Sequence, residues 1–312
     1  MKLLYFIKKA DWTTKMSAAR RHQIEAIGRH PDVELKISGP GWDGFDGARQ
    51  VEKRFKPDIV HAYKPLEIPG YLSVKSPKCI SYNEMWCKEW TLKEVRKSKS
   101  NIVICHHAQE ADIYKILLPK RTVVHIPHCA EKTVFKDYGL PKDIDVLYTG
   151  ISSKKFYPLR QKLLKKVQPI IKARGYGFQQ FKHPGYRLKN LEAINRHLVS
   201  YAKALNRAKI VVTCSSKYKY ALAKYAEIGL CRTALCADVP GQTQEWFGKW
   251  MIVIGQETPP EKIAEKIIGY LKDQESLKIK TDLAYYENLK CRTMEHYAER
   301  FVKIVKEYLN CI

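Results

Sequence analysis

The 312-residue sequence predicts an α/β fold built of two doubly wound, Rossmann-like domains, each a parallel sheet with helices on both faces. Three observations predict it. Short apolar, strand-like runs alternate with helically spaced segments along the chain. A stretch rich in turn formers and charge, residues 137–145 (DYGLPKDID), interrupts that alternation, and a fresh strand follows it. The length also admits two domains of ordinary size, each with its own core.

The elements follow in order. KLLYFI opens the chain as a strand. SAARRHQIEAIGR (17–29) has helical spacing, with Ser17 as its N-cap. VELKISGP is a strand running into a Gly/Pro loop, and PDIVHAY is a strand entered from Pro57. KCISYN, NIVICHH and TVVHIPH continue the series. The second half repeats the pattern: strand DVLYTG, one helix over PLRQKLLKKVQPIIKARG, strand GFQQFK, loop HPGYRLKN, a helix through YAKALNRA and strand KIVVTC. Then come helix KYALAKYAEIG, strands TALCADVP and MIVI, and helix PPEKIAEKIIGYLKD. TMEHYAERFVKIVKEYL is a long final helix. The expected boundaries are therefore 1–140 for a first Rossmann-like domain, 141–290 for a second, and 291–312 for a C-terminal helix that packs back on the first. A ligand cleft is expected where the carboxyl ends of the strands face one another.

Bulk properties narrow the class. Hydrophobic residues are 45% of the chain and charged residues 28%, the balance of a soluble globular protein. No apolar run reaches the ~18–20 residues of a membrane span, and MKLLYFIKKADW is too soon charged to be a secretory leader. The nine cysteines form no framework and no CxxC pair, so free thiols in a reducing cytoplasm are expected. The formal charge is +24, and residues 151–226 hold 18 Lys/Arg against one acid, Glu192. Such a field attracts anions: nucleotide diphosphates, anionic lipid at the inner membrane face, or nucleic acid.

Within this second half, residues 224–241 (KYAEIGLCRTALCADVPG) set one carboxylate, Glu227, in an apolar helix that Gly229 is expected to end. The loop Gly150, Ile151, Ser152, Ser153 precedes a helix beginning near Pro158, a position suited to phosphate. Arg160 falls in that helix's first turn, where a cation opposes the helix dipole unless an anion lies between them. His183, Gly185 and Tyr186 sit in the HPGY loop, and Thr213 and Ser215 end a strand, so each is a candidate donor to a ligand.

The ordered series IPHCAEKTVF, DVLYTG, YPLR, HPGY, YAKALNRAKIVVTC and KYAEIGLCRTALCADVPGQTQEWF resembles the nucleotide-sugar-binding half of GT-B glycosyltransferases, in the glycosyltransferase-4-like group near the CgeB type. PDIVHAYKP in the first half resembles a strand those enzymes write as PDVVH. The resemblance implies a metal-independent transferase using a UDP- or GDP-sugar as co-substrate, with no other cofactor. It implies that Glu227 accepts hydrogen bonds from the ribose hydroxyls, as a carboxylate with two acceptor oxygens can. Lys224 matches the basic residue that the CgeB-like branch places near the diphosphate. Where many members carry a second glutamate near the donor sugar, this chain has Lys219.

Transfer also needs a base for the acceptor hydroxyl. Glu84, in ISYNEMW, stands where relatives often carry a histidine and is the first candidate. His61, His106 and His107 stand at strand ends as further candidates. The loop from Asp11 to Lys15 is expected to close over a ligand. Asp143-Ile144-Asp145 spells a DxD but precedes a strand, and the Cys/His grouping at 105–107 and 125–129 has irregular spacing, so no metal site is expected. The expected acceptor is a glycan or lipid-linked saccharide. A hydroxymethylated base in DNA is the alternative, since basic residues interleave with aromatics in KFYPLR and SSKYKYALAKY. A non-catalytic module binding nucleic acid or nucleotide is a third reading.

Overall fold

The structure, a computed structural model, describes every residue of the chain except Ser17, Glu84, Gln242 and Thr243. The expected N-cap at Ser17 and the first candidate base, Glu84, thus lie outside the described residues. The chain divides into two compact units: residues 1–128 with 186–191 and 294–312, and residues 129–185 with 192–293.

The first unit runs β1 (Lys2–Phe6), α1 (Lys9–Thr14), α2 (Ala18–Arg29), β2 (Glu34–Ser38), α3 (Ala48–Phe55), β3 (Ile59–Ala62), β4 (Lys78–Tyr82), α4 (Lys88–Ser98), β5 (Ile102–Cys105), α5 (Ala108–Leu117) and β6 (Thr122–His125). Among the described residues these strands form one parallel sheet in the order β2-β1-β3-β4-β5-β6. The strands β1, β3, β4 and β5 are buried on both faces, which is why they read as near-continuous apolar runs, while the edge strands β2 and β6 are partly exposed. Leu4, Phe6, Val60 and Tyr71 pack together in one cluster, and Ile80, Val103, Cys105 and Tyr114 in another.

The second unit runs β7 (Ile144–Thr149), α6 (Pro158–Lys162), α7 (Gln168–Ala173), β8 (Phe178–Phe181), α8 (Leu191–Arg207), β9 (Ala208–Val212), α9 (Ala223–Leu230), β10 (Ala234–Ala237), α10 (Gln244–Trp250), β11 (Ile252–Val253), α11 (Pro260–Lys272) and α12 (Gln274–Cys291). Its parallel sheet has the order β11-β10-β9-β7-β8, so the winding reverses between β7 and β9. Open α/β sheets bind ligands outside the carboxyl ends of the strands at such a reversal.

The last helix, α13 (Met294–Leu309), belongs to the first unit and packs on α2. Its buried stripe is Met294, Tyr297, Ala298, Phe301, Val302 and Val305, at the spacing the sequence shows. Two expectations are corrected. The single helix from Pro158 to Gly175 is instead α6, one widened turn over Leu163–Val167, and α7. In that turn the Gln168 N–H bonds the Leu163 carbonyl, five residues back. The widening carries the chain past Pro169, whose ring lacks an N–H and clashes with the carbonyl four residues earlier. Nor does Gly229 end its helix, because α9 continues through Leu230.

Candidate functional site

Gly150 follows β7 with φ +102°, and a Cβ there would lie 2.7 Å from Nη1 of Arg160. Only glycine admits both that backbone and that neighbour. The Arg160 guanidinium therefore lies flat against the strand-end loop at the point where the sheet reverses. Its Nε donates to Thr213 Oγ1 at 3.0 Å, and its Nη1 and Nη2 make only long contacts, 3.4 and 3.5 Å, to the Ile151 and Cys214 carbonyls. Arg160 is 2% exposed, yet among the described residues no carboxylate pairs with it. A buried guanidinium with no counter-ion is costly, so the geometry calls for an anion beside it.

Glu227 and Lys224 lie one turn apart on α9 and are both partly buried. Burial pushes the Glu227 carboxyl above the ordinary carboxylate range, with Lys224 pulling the other way. The Lys224 ammonium is lowered to about 8, first by burial, then partly restored by Glu227 and lowered further by Arg160. Lys224 Nζ donates to Tyr201 Oη at 3.2 Å and lies 4.6 Å from that ring's centroid. The Glu227 carboxylate has no hydrogen-bond donor among the described residues, so its acceptor oxygens are open to a ligand. His183 is lowered by burial, then by Lys224 and Arg160, which puts the HPG loop in the same electrostatic neighbourhood.

The other predicted residues fall in three places. Ser152 is exposed and Ser153 partly buried in the loop after Gly150. Since α6 is five residues long before the chain widens, the positive charge facing that loop comes from Arg160 more than from a helix terminus. Thr213 and Ser215 are fully buried and serve protein partners. Thr213 holds Arg160, and the Ser215 N–H and Oγ both donate to Asp238, at 2.7 and 2.6 Å. Ser215 is thus a support for Asp238 and its hydroxyl is not free for a ligand. His183 Nδ1 accepts from Gly185 N–H at 3.0 Å, closing that turn, while Tyr186 is exposed and falls in the first unit.

His61 and His106 are expected at ligand-facing strand ends, but the fold buries them at 2% and 1% exposure. His61 lies between Tyr5, at 5.1 Å, and Phe301 of α13, at 5.7 Å, with Nε2 3.0 Å from Ser81 Oγ. His106 Nδ1 is 2.8 Å from the Ile126 carbonyl, and its ring lies 5.8 Å from Tyr297 of α13. The covering helix comes from the far end of the chain, so neither strand's own sequence announces it. His107 is also buried, at 2%. Asp11, expected in a loop that closes over a ligand, instead lies in helix α1 and pairs with Arg187 at 2.7 Å.

Sequence reasoning missed Tyr201 and Asp238. Tyr201 shares the apolar stripe of α8 with Ile194, Leu198 and Leu205 and so reads as core. Asp238 follows β10 and pairs with Lys219 at 2.8 Å, a residue with left-handed φ of +57°. Lys219 thus has a carboxylate partner supplied by the segment after the neighbouring strand. Cys214, Ser216, Lys217, Lys219, Asp238 and Thr258 border a cavity of about 520 Å³ beside these strand ends.

No protein-family model matches the chain, and no curated protein does. Solved structures do. A sucrose-phosphate synthase from Thermosynechococcus elongatus superposes with a TM-score of 0.64 at 12% identity, covering 100% of both chains. Anabaena HepE in complex with UDP gives 0.63 at 12% identity, covering 98% of this chain and 100% of that one. A glycosyltransferase from Rickettsia africae gives 0.62 at 12% identity, over 99% and 98%. The fold is the α/β fold of GT-B glycosyltransferases, with two parallel sheets each wrapped in helices.

Proposed function

We propose that this chain is a glycosyltransferase that moves a sugar from a nucleoside-diphosphate sugar to a hydroxyl of a glycan or lipid-linked saccharide. The observation that carries the reading is Arg160, buried at the sheet reversal with no counter-ion among the described residues, beside Lys224 and a Glu227 whose oxygens meet no donor among them. The UDP bound in HepE is consistent with it. In this reading Glu227 accepts from the two ribose hydroxyls, and Arg160 and Lys224 face the diphosphate. As the acceptor oxygen bonds to the anomeric carbon, the bond to the diphosphate oxygen breaks. Negative charge then builds on the leaving group, and two fixed cations in a partly dry site stabilise it without a divalent ion. The acceptor proton passes to a base, for which Glu84 is proposed.

Calorimetric titration with UDP, GDP and their sugars tests the donor site. Glu227→Ala removes a charged acceptor worth roughly 1.5–3 kcal/mol, so nucleotide affinity should fall about ten- to a hundredfold. A folded Glu227→Ala protein that binds every nucleotide as the native chain does would remove Glu227 from the site. Glu84→Gln should leave nucleotide affinity unchanged while lowering kcat by about 10²–10⁴. A near-native kcat at saturating donor and acceptor would instead move the base elsewhere.

A further inference from the structure

A groove of about 780 Å³ lies at the amino-terminal edge of the first unit's sheet, the edge opposite the strand ends where such sheets bind substrates. Lys75 reaches it from the segment leading into β4, Lys78 from that strand's first position, Arg96 and Lys99 from the end of α4, and Arg121 from the turn before β6. Ser73, Ser76 and Asn101 complete its polar lining, and among the described residues no carboxylate borders it. Among the described residues none of the five cations forms an ion pair, although the same unit pairs Lys8 and Lys64 with Glu67 and Arg54 with Asp46.

Lys78 distinguishes this groove from an ordinary basic surface. It is 5% exposed, and its ammonium donates to one acceptor, the Val74 carbonyl at 2.6 Å, though it has three protons to give. The nearest buried carboxylate, Glu52, is engaged by the Lys75 and Ser76 amides, the Ser76 hydroxyl and Arg49. Burial lowers the Lys78 ammonium; Glu52 opposes this, and Lys99 and Lys75 lower it further, so the ammonium groups are close enough to repel one another. The carboxyl end of α4 accounts for favouring Arg96 and Lys99 there. It does not account for cations converging from two other segments, nor for a buried lysine among them.

We propose that this groove is a second binding site, for a ligand carrying two or more phosphate groups. The two arginines offer paired N–H donors to phosphate oxygens, and the lysines supply point charges around them. This inference stands apart from the transfer reaction and does not rest on it.

The test is calorimetric titration of the full chain with inorganic pyrophosphate, native against the double variant Arg96→Ala/Arg121→Ala. The native chain should bind pyrophosphate with an affinity that falls as salt rises. The double variant should lose the groove's binding by roughly tenfold or more, since each arginine contributes charge-assisted hydrogen bonds. Its melting curve and circular dichroism should stay native, because neither arginine belongs to the core. Lys99→Ala, at an exposed helix end, should weaken the same site by a smaller factor. Pyrophosphate bound beside Arg160 would persist in all of these variants, so failure of the donor-site reading leaves the comparison intact. Sedimentation with phosphatidylglycerol vesicles separates two sources of the phosphate. Vesicle binding that is lost in the double variant assigns the groove to lipid headgroups, whereas pyrophosphate binding without vesicle binding assigns it to a soluble ligand. Native and double-variant chains with equal pyrophosphate affinity and stoichiometry, or a native chain that binds none, would overturn the proposal.

Discussion

At the residue scale, Lys224 carries the sharpest consequence. Its folded pKa of about 8 lies below the usual lysine value because burial disfavours the ammonium. A bound diphosphate favours the ammonium, so binding takes up a proton wherever the free site has lost it. Affinity for UDP should therefore be level below about pH 8 and fall above it, by at most about tenfold per pH unit. Titrations between pH 7 and 9 check this, and Lys224→Met should give a lower but flatter profile. A native profile that stays flat to pH 9 would detach Lys224 from the diphosphate. Glu227 and Arg160 stood out in the sequence because each is chemically out of place where it stands, a carboxylate in an apolar helix and a cation in a first helical turn, whereas Lys224 was a candidate only through the resemblance to the CgeB-like branch. Tyr201, Asp238 and the burial of His61 were not visible. Their roles depend on partners brought in by other elements, and a tyrosine on an apolar stripe carries no sign of the lysine that will point at it.

At the element scale, α9 holds Gly229 for a reason other than the one the sequence suggests. The sequence suggests Gly229 as a helix stop. In the fold Gly229 is helical and faces α12, where an added Cβ would lie 2.2 Å from Asn288 Nδ2 and 3.0 Å from the Ala284 carbonyl. Asn288 is itself buried and donates to that carbonyl at 2.7 Å, so it has little room to yield. The glycine is a contact point that lets α9 lie close to α12 and so fixes the height of Glu227 and Lys224 at the sheet reversal. Gly229→Ala should gain helix propensity but lose more to overpacking, for a net loss of roughly 1–3 kcal/mol in denaturant unfolding. Nucleotide affinity should fall as well, because α9 must shift to make room. A more stable variant would mean that the close packing is not limiting. The inner strands were legible because burial on both faces writes them as unbroken apolar runs, while the partly exposed edge strands β2 and β8 carry polar residues. The widened turn before α7 was less so: Pro169 announces a disturbance, but whether the chain kinks, stops or widens depends on the packing around it.

At the scale of the whole molecule, the two units meet acid differently. The first buries His61 and His106 as neutral rings, lowered by burial to about 3 and about 4, and His107 likewise to about 3. Arg20 adds to the effect on His61 and His106, while the Ile126 carbonyl partly restores His106. An unfolded chain takes up these protons near pH 6.5 and the folded unit does not. The unfolded state thus binds more protons between pH 6.5 and about 4, and stability falls as pH drops through that window. All three shifts act in the same direction, so the first unit loses stability as pH falls through that window. In the second unit the histidines with lowered values, His183 and His197, lie at or near the surface and carry much less of this penalty. Amide hydrogen exchange at pH 5 against pH 7 should therefore show β3, β5 and α13 losing protection before β7, β9 and β10. His61→Phe, an aromatic already flanked by Tyr5 and Phe301, should shift the first unit's acid transition to lower pH. Simultaneous loss in both sheets, or a transition unmoved in His61→Phe, would detach the first unit's acid sensitivity from its buried histidines.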